Sequence, residues 1–206
     1  MRFNANDDTA QALRTALIHE FFRAEDAFND FVDPRNMTVA AHTDRRIAYR
    51  TYNFYSRFIH HLYEFYIGCF KWQFLDTAQI GKWQADQLIH DETSKLLART
   101  RARILEKRAP VWENSIESYP LEVPPQFASE FRKARNIALG HVGATRTTFS
   151  LSKFFGAYHM FMLMLYDDAR WLWTKELGSF PDLGEVTSFA LLAGEKSQFA
   201  RNLKGA

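Results

Sequence analysis

Residues 151–172 read Leu151-Ser-Lys-Phe-Phe-Gly-Ala-Tyr-His-Met-Phe-Met-Leu-Met-Leu-Tyr-Asp-Asp-Ala-Arg-Trp-Leu172. Leu151, Phe155, Tyr158, Met162, Leu165, Ala169 and Leu172 recur at alternating four- and three-residue steps. That is the period of an α-helix carrying one apolar stripe. Phe154, Phe161 and Met164 add apolar surface on other faces, which predicts a central helix. Thr145 or Thr147 suits its N-cap, and Gly178, just past Leu177, suits its stop.

Working outward, the same period recurs four more times. From about Thr9 to Phe31 the stripe is Leu13, Leu17, Phe21, Ala24, Phe28 and Phe31, and Asp33-Pro34 stops it. From about Val39 to Thr77 it is Tyr52, Tyr55, Ile59, Leu62, Tyr66 and Cys69. A third helix, from about Lys82 to Arg108, is marked more weakly by Leu88, Leu96, Leu97 and Ile104. Pro110 to Pro125 is a break, pinned by Trp112, Ile116 and Tyr119. A fourth helix starts near Pro124 or Pro125, since proline suits a first turn, and ends near Leu139. The helix of residues 151–172 is the fifth, and a short sixth spans about Glu185 to Asn202. No segment alternates as a strand does. The expectation is an all-α fold: an antiparallel up-down helical bundle of five long helices with a short C-terminal helix. It forms a single domain over residues 1–206, with the bundle at 9–177 and a C-terminal extension at 178–206.

Composition narrows the function classes. The chain has 206 residues, 47% hydrophobic and 16% aromatic, which is enough for one well-buried core and carries no signature of disorder. A single cysteine, Cys69, excludes an internal disulfide framework and a cysteine-based zinc site. The acidic start Asn4-Ala-Asn-Asp-Asp8 is no signal peptide, and the apolar run Phe154–Tyr166 is too short to cross a bilayer, so a cytoplasmic protein with no membrane partner is expected. No Glu precedes a His by three residues, as carboxylate-bridged metal sites in bundles require, and His19-Glu20 lacks the second histidine of a zinc-protease helix. Gly194-Glu-Lys-Ser197 lacks the leading glycine and the strand of a phosphate-binding loop. A dinucleotide fingerprint and a nucleophile elbow are missing too. No metal and no cofactor are expected.

Two polar constellations stand out from the apolar pattern. Phe131-Arg-Lys-Ala-Arg-Asn-Ile-Ala-Leu-Gly-His-Val142 holds Arg135, Asn136 and His141. On an unbroken helix six steps of 100° set Arg135 and His141 about 120° apart. A left-handed Gly140 could end the helix and bring them together. A permanent cation beside a group that titrates near neutrality suits phosphodiester cleavage. From Phe131 to Tyr166 there is no Asp or Glu, while Arg132, Lys133, Arg146 and Lys153 accumulate, an anion-binding signal. Cations near a helix end also complement its dipole. The second constellation is Arg57, His60, His61, Glu64 and Lys71 on the second helix, where His60, His61 and Glu64 share a face with Arg57 one turn earlier. Glu64 either pairs internally with one of these neighbours or faces the fourth helix and orients Arg135 or His141. His159, on the most apolar helix, reads as a hydrogen-bonded core histidine. Arg99-Thr-Arg-Ala-Arg103 reads as a solvated face.

The segment Arg135-Asn136-Ile-Ala-Leu-Gly-His141, in an all-helical domain of this size, resembles the HEPN superfamily. The Arg-Asn start and Gly-His end are similar to many prokaryotic members, including abortive-infection proteins. The likeness covers about Leu13 to Trp173 in architecture and about a dozen residues in sequence. It implies metal-independent endoribonuclease activity of toxin or antiviral type, often in a homodimer whose two motifs face one cleft. Arg135 would neutralise the scissile phosphate, His141 would act as general acid or base for attack by the RNA 2′-hydroxyl, and Asn136 would position the motif. Glu64, His60 and His61 would support the site, and Arg132, Lys133, Arg146 and Lys153 would hold RNA. An antitoxin or nucleotidyltransferase is the kind of partner such proteins have. The tyrosine modified in some members, two residues after the histidine, is Gly143 here. The competing class is a non-catalytic helical module that binds RNA or a protein.

Overall fold

The structure, a computed structural model, describes residues 1–33, 44–111, 113–138, 149–173 and 186–193. It is an all-α bundle. Helix α1 is Asp8–Val32, α2 Arg45–Phe74, α3 Lys82–Leu105, α4 Phe127–Ala138 and α5 Leu151–Trp173. A single 3₁₀ turn at Ile116–Ser118 interrupts the long connection, and residues 186–193 form a sixth, short helix. Among the described residues no strand forms, and Arg2 and Asp76 make one isolated bridge.

Local chemistry sets the helix ends. Asp7 caps α1 by accepting from the Ala10 amide at 2.9 Å, and Asp44 caps α2 by accepting from Arg46 and Ile47. The expected start of the second helix near Val39 therefore moves to Arg45, because the Asp44 backbone is extended. At the other end Leu75 takes a left-handed backbone (φ 51°) and its amide closes onto Lys71 and Trp72, ending α2 three residues short of Thr77. Helix α3 ends at Leu105 rather than Arg108; Lys107 sits at φ 55° just beyond. Pro124 accepts from the Phe127 amide at 2.9 Å, so the Pro124-Pro125 pair forms the turn that leads into α4 rather than its first residues. Ser150 caps α5 by accepting from the Lys153 amide at 3.2 Å. Thr145 and Thr147, expected as that cap, lie outside the described residues, as do Gly140 and the end expected near Leu177.

The core is built on α2. Phe58, Ile59 and Leu62 are fully buried, with Tyr55 and Phe65 nearly so. Helix α1 lies antiparallel along α2, its start tied to the end of α2 by Phe3–Leu75 and Thr77–Met1 backbone hydrogen bonds at 2.9 Å. The approach is close: a Cβ on Gly68 would meet the Leu17 side chain at 2.5 Å. Helix α5 runs antiparallel to α1 and along α2 in the same direction. Phe155 and His159 meet Phe31 and Tyr55, while further along Tyr166 stacks on Phe21 and lies edge-on to Phe58. The Tyr66 hydroxyl donates to the Leu165 carbonyl at 2.7 Å. The central position expected for α5 belongs to α2, since α5 leaves Ser152, Lys153, Phe155, Gly156 and Ala157 exposed. Its buried face, through Leu151, Phe154, Tyr158, Phe161, Met162 and Leu165, includes two of the "extra" aromatics and omits Phe155.

The arginines of 99–103 stay partly or largely open to solvent, as expected, and each also holds a partner. Arg99 pairs with Asp168 of α5 and Arg103 with Glu113, while Arg101 donates to the Tyr119 and Pro120 carbonyls. These bonds lay the connection after α3 back along that helix. Among the described residues no helix is long and apolar enough to cross a membrane.

Candidate functional site: a polar cluster between α1, α2 and α4

Helix α4 is amphipathic with a narrow buried stripe: Phe127, Ala128, Phe131 and Ala134 are buried. Phe131 meets Tyr63 of α2 edge-on at 5.2 Å, and Phe127 meets Tyr158 and Phe161 of α5. With that stripe fixed, the polar positions of α4 are fixed too. Arg132 and Arg135 turn towards α2 and α3. Lys133, about 200° from Arg135 on a helix, turns the other way, towards α5.

Arg135 sits in the last turn of α4 and makes three contacts. Its guanidinium pairs with Glu64 of α2, donates to the Asn136 side-chain oxygen at 2.7 Å, and lies 5.6 Å from the centre of the Tyr63 ring. Glu64 therefore reaches across to the fourth helix instead of pairing with a neighbour on its own. The Arg135 and Glu64 side chains are each about a third exposed, at 32% and 30%. The Arg135 Nε is buried with no hydrogen-bond partner among the described residues. The guanidinium is thus aimed and braced, yet still open to solvent on one side.

The two histidines of α2 divide. His61 Nδ1 lies 2.8 Å from Glu20 Oε2 of α1, an ion pair whenever His61 is protonated. Burial opposes ionisation of Glu20, but the His61 hydrogen bond and the charges of His61, Arg23 and His60 outweigh it and hold the carboxyl below its ordinary range. His60 lies against His61, ring centres 5.1 Å apart. Burial first, then the charges of His61 and Arg135, press its pKa down, against the pull of Glu64 and Glu20. The His60 Nδ1 is buried and unpaired among the described residues. His60, His61, Glu64, Arg135 and Asn136 therefore gather at one junction, joined by Glu20.

Glu20 and Tyr63 were not legible as site residues. His19-Glu20 reads only as a broken zinc motif, and nothing in local spacing links position 20 to position 61. The one usable signal was the pair of apolar stripes, which sets Leu17–Phe21 against the middle of α2. The remaining cations separate. Arg132 forms a bidentate pair with Asp86 of α3 at 2.8 and 2.9 Å, which raises its pKa further. That pairing holds Arg132 against α3 with its side chain about a quarter exposed. Lys133 lies 3.5 Å from Glu130 with its side chain about half exposed, and Lys153 is exposed on α5. His141 and Arg146 lie outside the described residues. His159 Nδ1 shares a hydrogen bond with the Tyr55 hydroxyl at 3.0 Å and its ring stacks on Phe155, as a core histidine does. Among the described residues no group of three or more His, Cys, Asp or Glu converges as a metal site.

Comparison of the chain with protein-family models, with curated proteins and with solved structures yields no match. The site must be read from its own geometry.

Proposed function

We propose that the protein is a metal-independent endoribonuclease of HEPN type, of the toxin or antiviral-defence kind, acting through Arg135 and His141. The observation that carries this reading is the setting of Arg135. A permanent cation stands at the end of α4, braced by Glu64, Asn136 and Tyr63, partly open to solvent and six residues before the histidine. A cation held in place before the reaction stabilises charge developing on a phosphate without reorganising. RNA supplies the nucleophile itself. His141 takes the proton from the 2′-hydroxyl, the 2′-oxygen attacks phosphorus, the bond to the 5′-oxygen breaks, and that oxygen takes up a proton. The products are a 2′,3′-cyclic phosphate and a 5′-hydroxyl. A homodimer would bring two motifs to one substrate; an antitoxin or nucleotidyltransferase would be a regulatory partner.

The assay is single-stranded RNA incubated with the pure protein in excess EDTA. Loss of a positioned acid or base typically costs about 10²–10⁴-fold in rate, so His141→Ala should nearly abolish cleavage. DNA of the same sequence should be inert. Equal activity of wild type and His141→Ala would reject the proposal.

One observation favours a second reading, a non-catalytic module that binds RNA or a protein. Arg132 and Arg135 are both held by carboxylates, as in a scaffold whose cations tie helices together. Binding without any cleavage in the same assay would select it.

A further inference from the structure

On the far side of α4 from Arg135 lies a cleft of about 570 Å³ between α4 and the start of α5. Lys133 reaches it from one wall and Lys153 from the other. Phe149, Phe154 and Tyr158 also line it; Phe154 and Tyr158 are buried, and Phe149 is half-buried at the surface. The Gln126 amide and the Ser150 hydroxyl, both on exposed residues, add groups that can donate and accept. Among the described residues the one carboxylate in the lining, Glu130, stands 3.5 Å from Lys133, a loose pair that a phosphate could displace. Among the described residues no carboxylate bridges Lys153. Another cleft, about 730 Å³ between α3 and α5, differs in kind. Its arginines Arg99 and Arg103 are already held by Asp168 and Glu113.

Two cations on the walls of one cleft, with a half-buried phenylalanine and amide and hydroxyl groups in its lining, match a nucleotide's two halves. The phosphate takes the ammonium groups and the base takes the ring face and the polar groups. We propose that this cleft binds one nucleotide unit of a single-stranded nucleic acid, its phosphate between Lys133 and Lys153 and its base against Phe149. The identity of the strand as substrate RNA rests on the ribonuclease reading; the cleft itself does not. Lys133 and Ile137 line the cleft while Arg135, on the same helix, faces the opposite way. A strand bound on both faces of α4 would hold in the cleft a nucleotide other than the one being cut.

The probe is a fluorescein-labelled single-stranded DNA oligonucleotide, which lacks the 2′-hydroxyl and is not consumed. Its affinity is read by anisotropy across a salt series. Lys153→Gln and Lys133→Gln should each weaken binding and flatten the slope of log K against log salt by about 0.7, one phosphate contact on a single strand. Ala157→Trp, an exposed position in the cleft lining, should block the cleft without touching the core. Lys95→Gln, exposed on α3, should leave affinity and slope unchanged. Equal loss in Lys95→Gln, no effect of Ala157→Trp, or equally tight binding of a poly-glutamate peptide would each overturn the proposal. DNA binding with this pattern and no RNA cleavage would reject the ribonuclease and keep the cleft. Cleavage of RNA with unchanged KM in Lys153→Gln and Ala157→Trp would keep the ribonuclease and reject the cleft.

Discussion

A neutral imidazole suits the interior of this bundle at two places. At His159 the ring Nδ1 shares a 3.0 Å hydrogen bond with the Tyr55 phenol, itself pushed up by burial. Burial pushes His159 down to about 4. At His60 burial and the charges of His61 and Arg135 act in the same direction. In both cases the folded pKa lies below the unfolded one, near 6.5. The unfolded chain then binds more protons, so stability is complete above about pH 6.5 and declines as the pH falls towards 4. Glu20 extends the trend. Its folded pKa is depressed, so its contribution is present above the ordinary carboxylate range and is lost as the pH falls through its folded value. The melting temperature should therefore drop steadily between pH 6.5 and 4. His159→Gln should lower it at pH 7 but make the decline shallower. A decline unchanged in that variant would assign the titration elsewhere.

At the scale of the element, most of what could be read lay in the helix stripes and most of what could not lay in the ends. Leu17, Phe21, Tyr55, Ile59, Leu62, Tyr158, Met162 and Leu165 are buried as their spacing requires. The ends were set by groups that periodicity does not weigh: the Asp44 side chain, the left-handed Leu75, the Ser150 hydroxyl. The exposed half of α5 was missed because its small residues, Gly156 and Ala157, do not break an apolar stripe even where they face water. That exposure makes a prediction. A Cβ at Gly156 would meet nothing within 4 Å, and a mid-helix glycine costs roughly 0.5–1 kcal/mol relative to alanine. Gly156→Ala should raise the melting temperature by about 1–4 °C. Gly68→Ala should gain less or lose, because Leu17, itself buried, would have to move. The bridge between α2 and α4 gives a different prediction. A partly exposed ion pair contributes about 1 kcal/mol or less, so Glu64→Gln should keep the melting temperature within a few degrees. Cleavage should nonetheless fall, because Arg135 would lose its brace. Unchanged cleavage would make Glu64 a helix-joining residue only.

Across the whole molecule, a near-neutral net charge of +2 conceals a separation that emerges only in three dimensions. The acid-free run from Phe131 to Tyr166 looks like a single cationic surface when read along the chain. Folding hands Arg132 to Asp86 and Arg135 to Glu64, acids far away in sequence, and leaves Lys133 and Lys153 across a cleft on the other side of α4. Composition and spacing could name Arg132 and Arg135 but not their partners, because Asp86 and Glu64 each arrive from another helix. For the same reason Glu64 was legible as a candidate and Glu20 was not. Glu64 shares a helical face with two histidines, while Glu20 meets them only through packing. The central claim is the chemistry at Arg135 and His141, and the end left on the RNA reports it most directly. Mass spectrometry of fragments formed in EDTA should show 2′,3′-cyclic phosphate and 5′-hydroxyl ends, and neither should form with Arg135→Ala. Fragments with 5′-phosphate ends, or the same fragments at the same rate from Arg135→Ala, would contradict it.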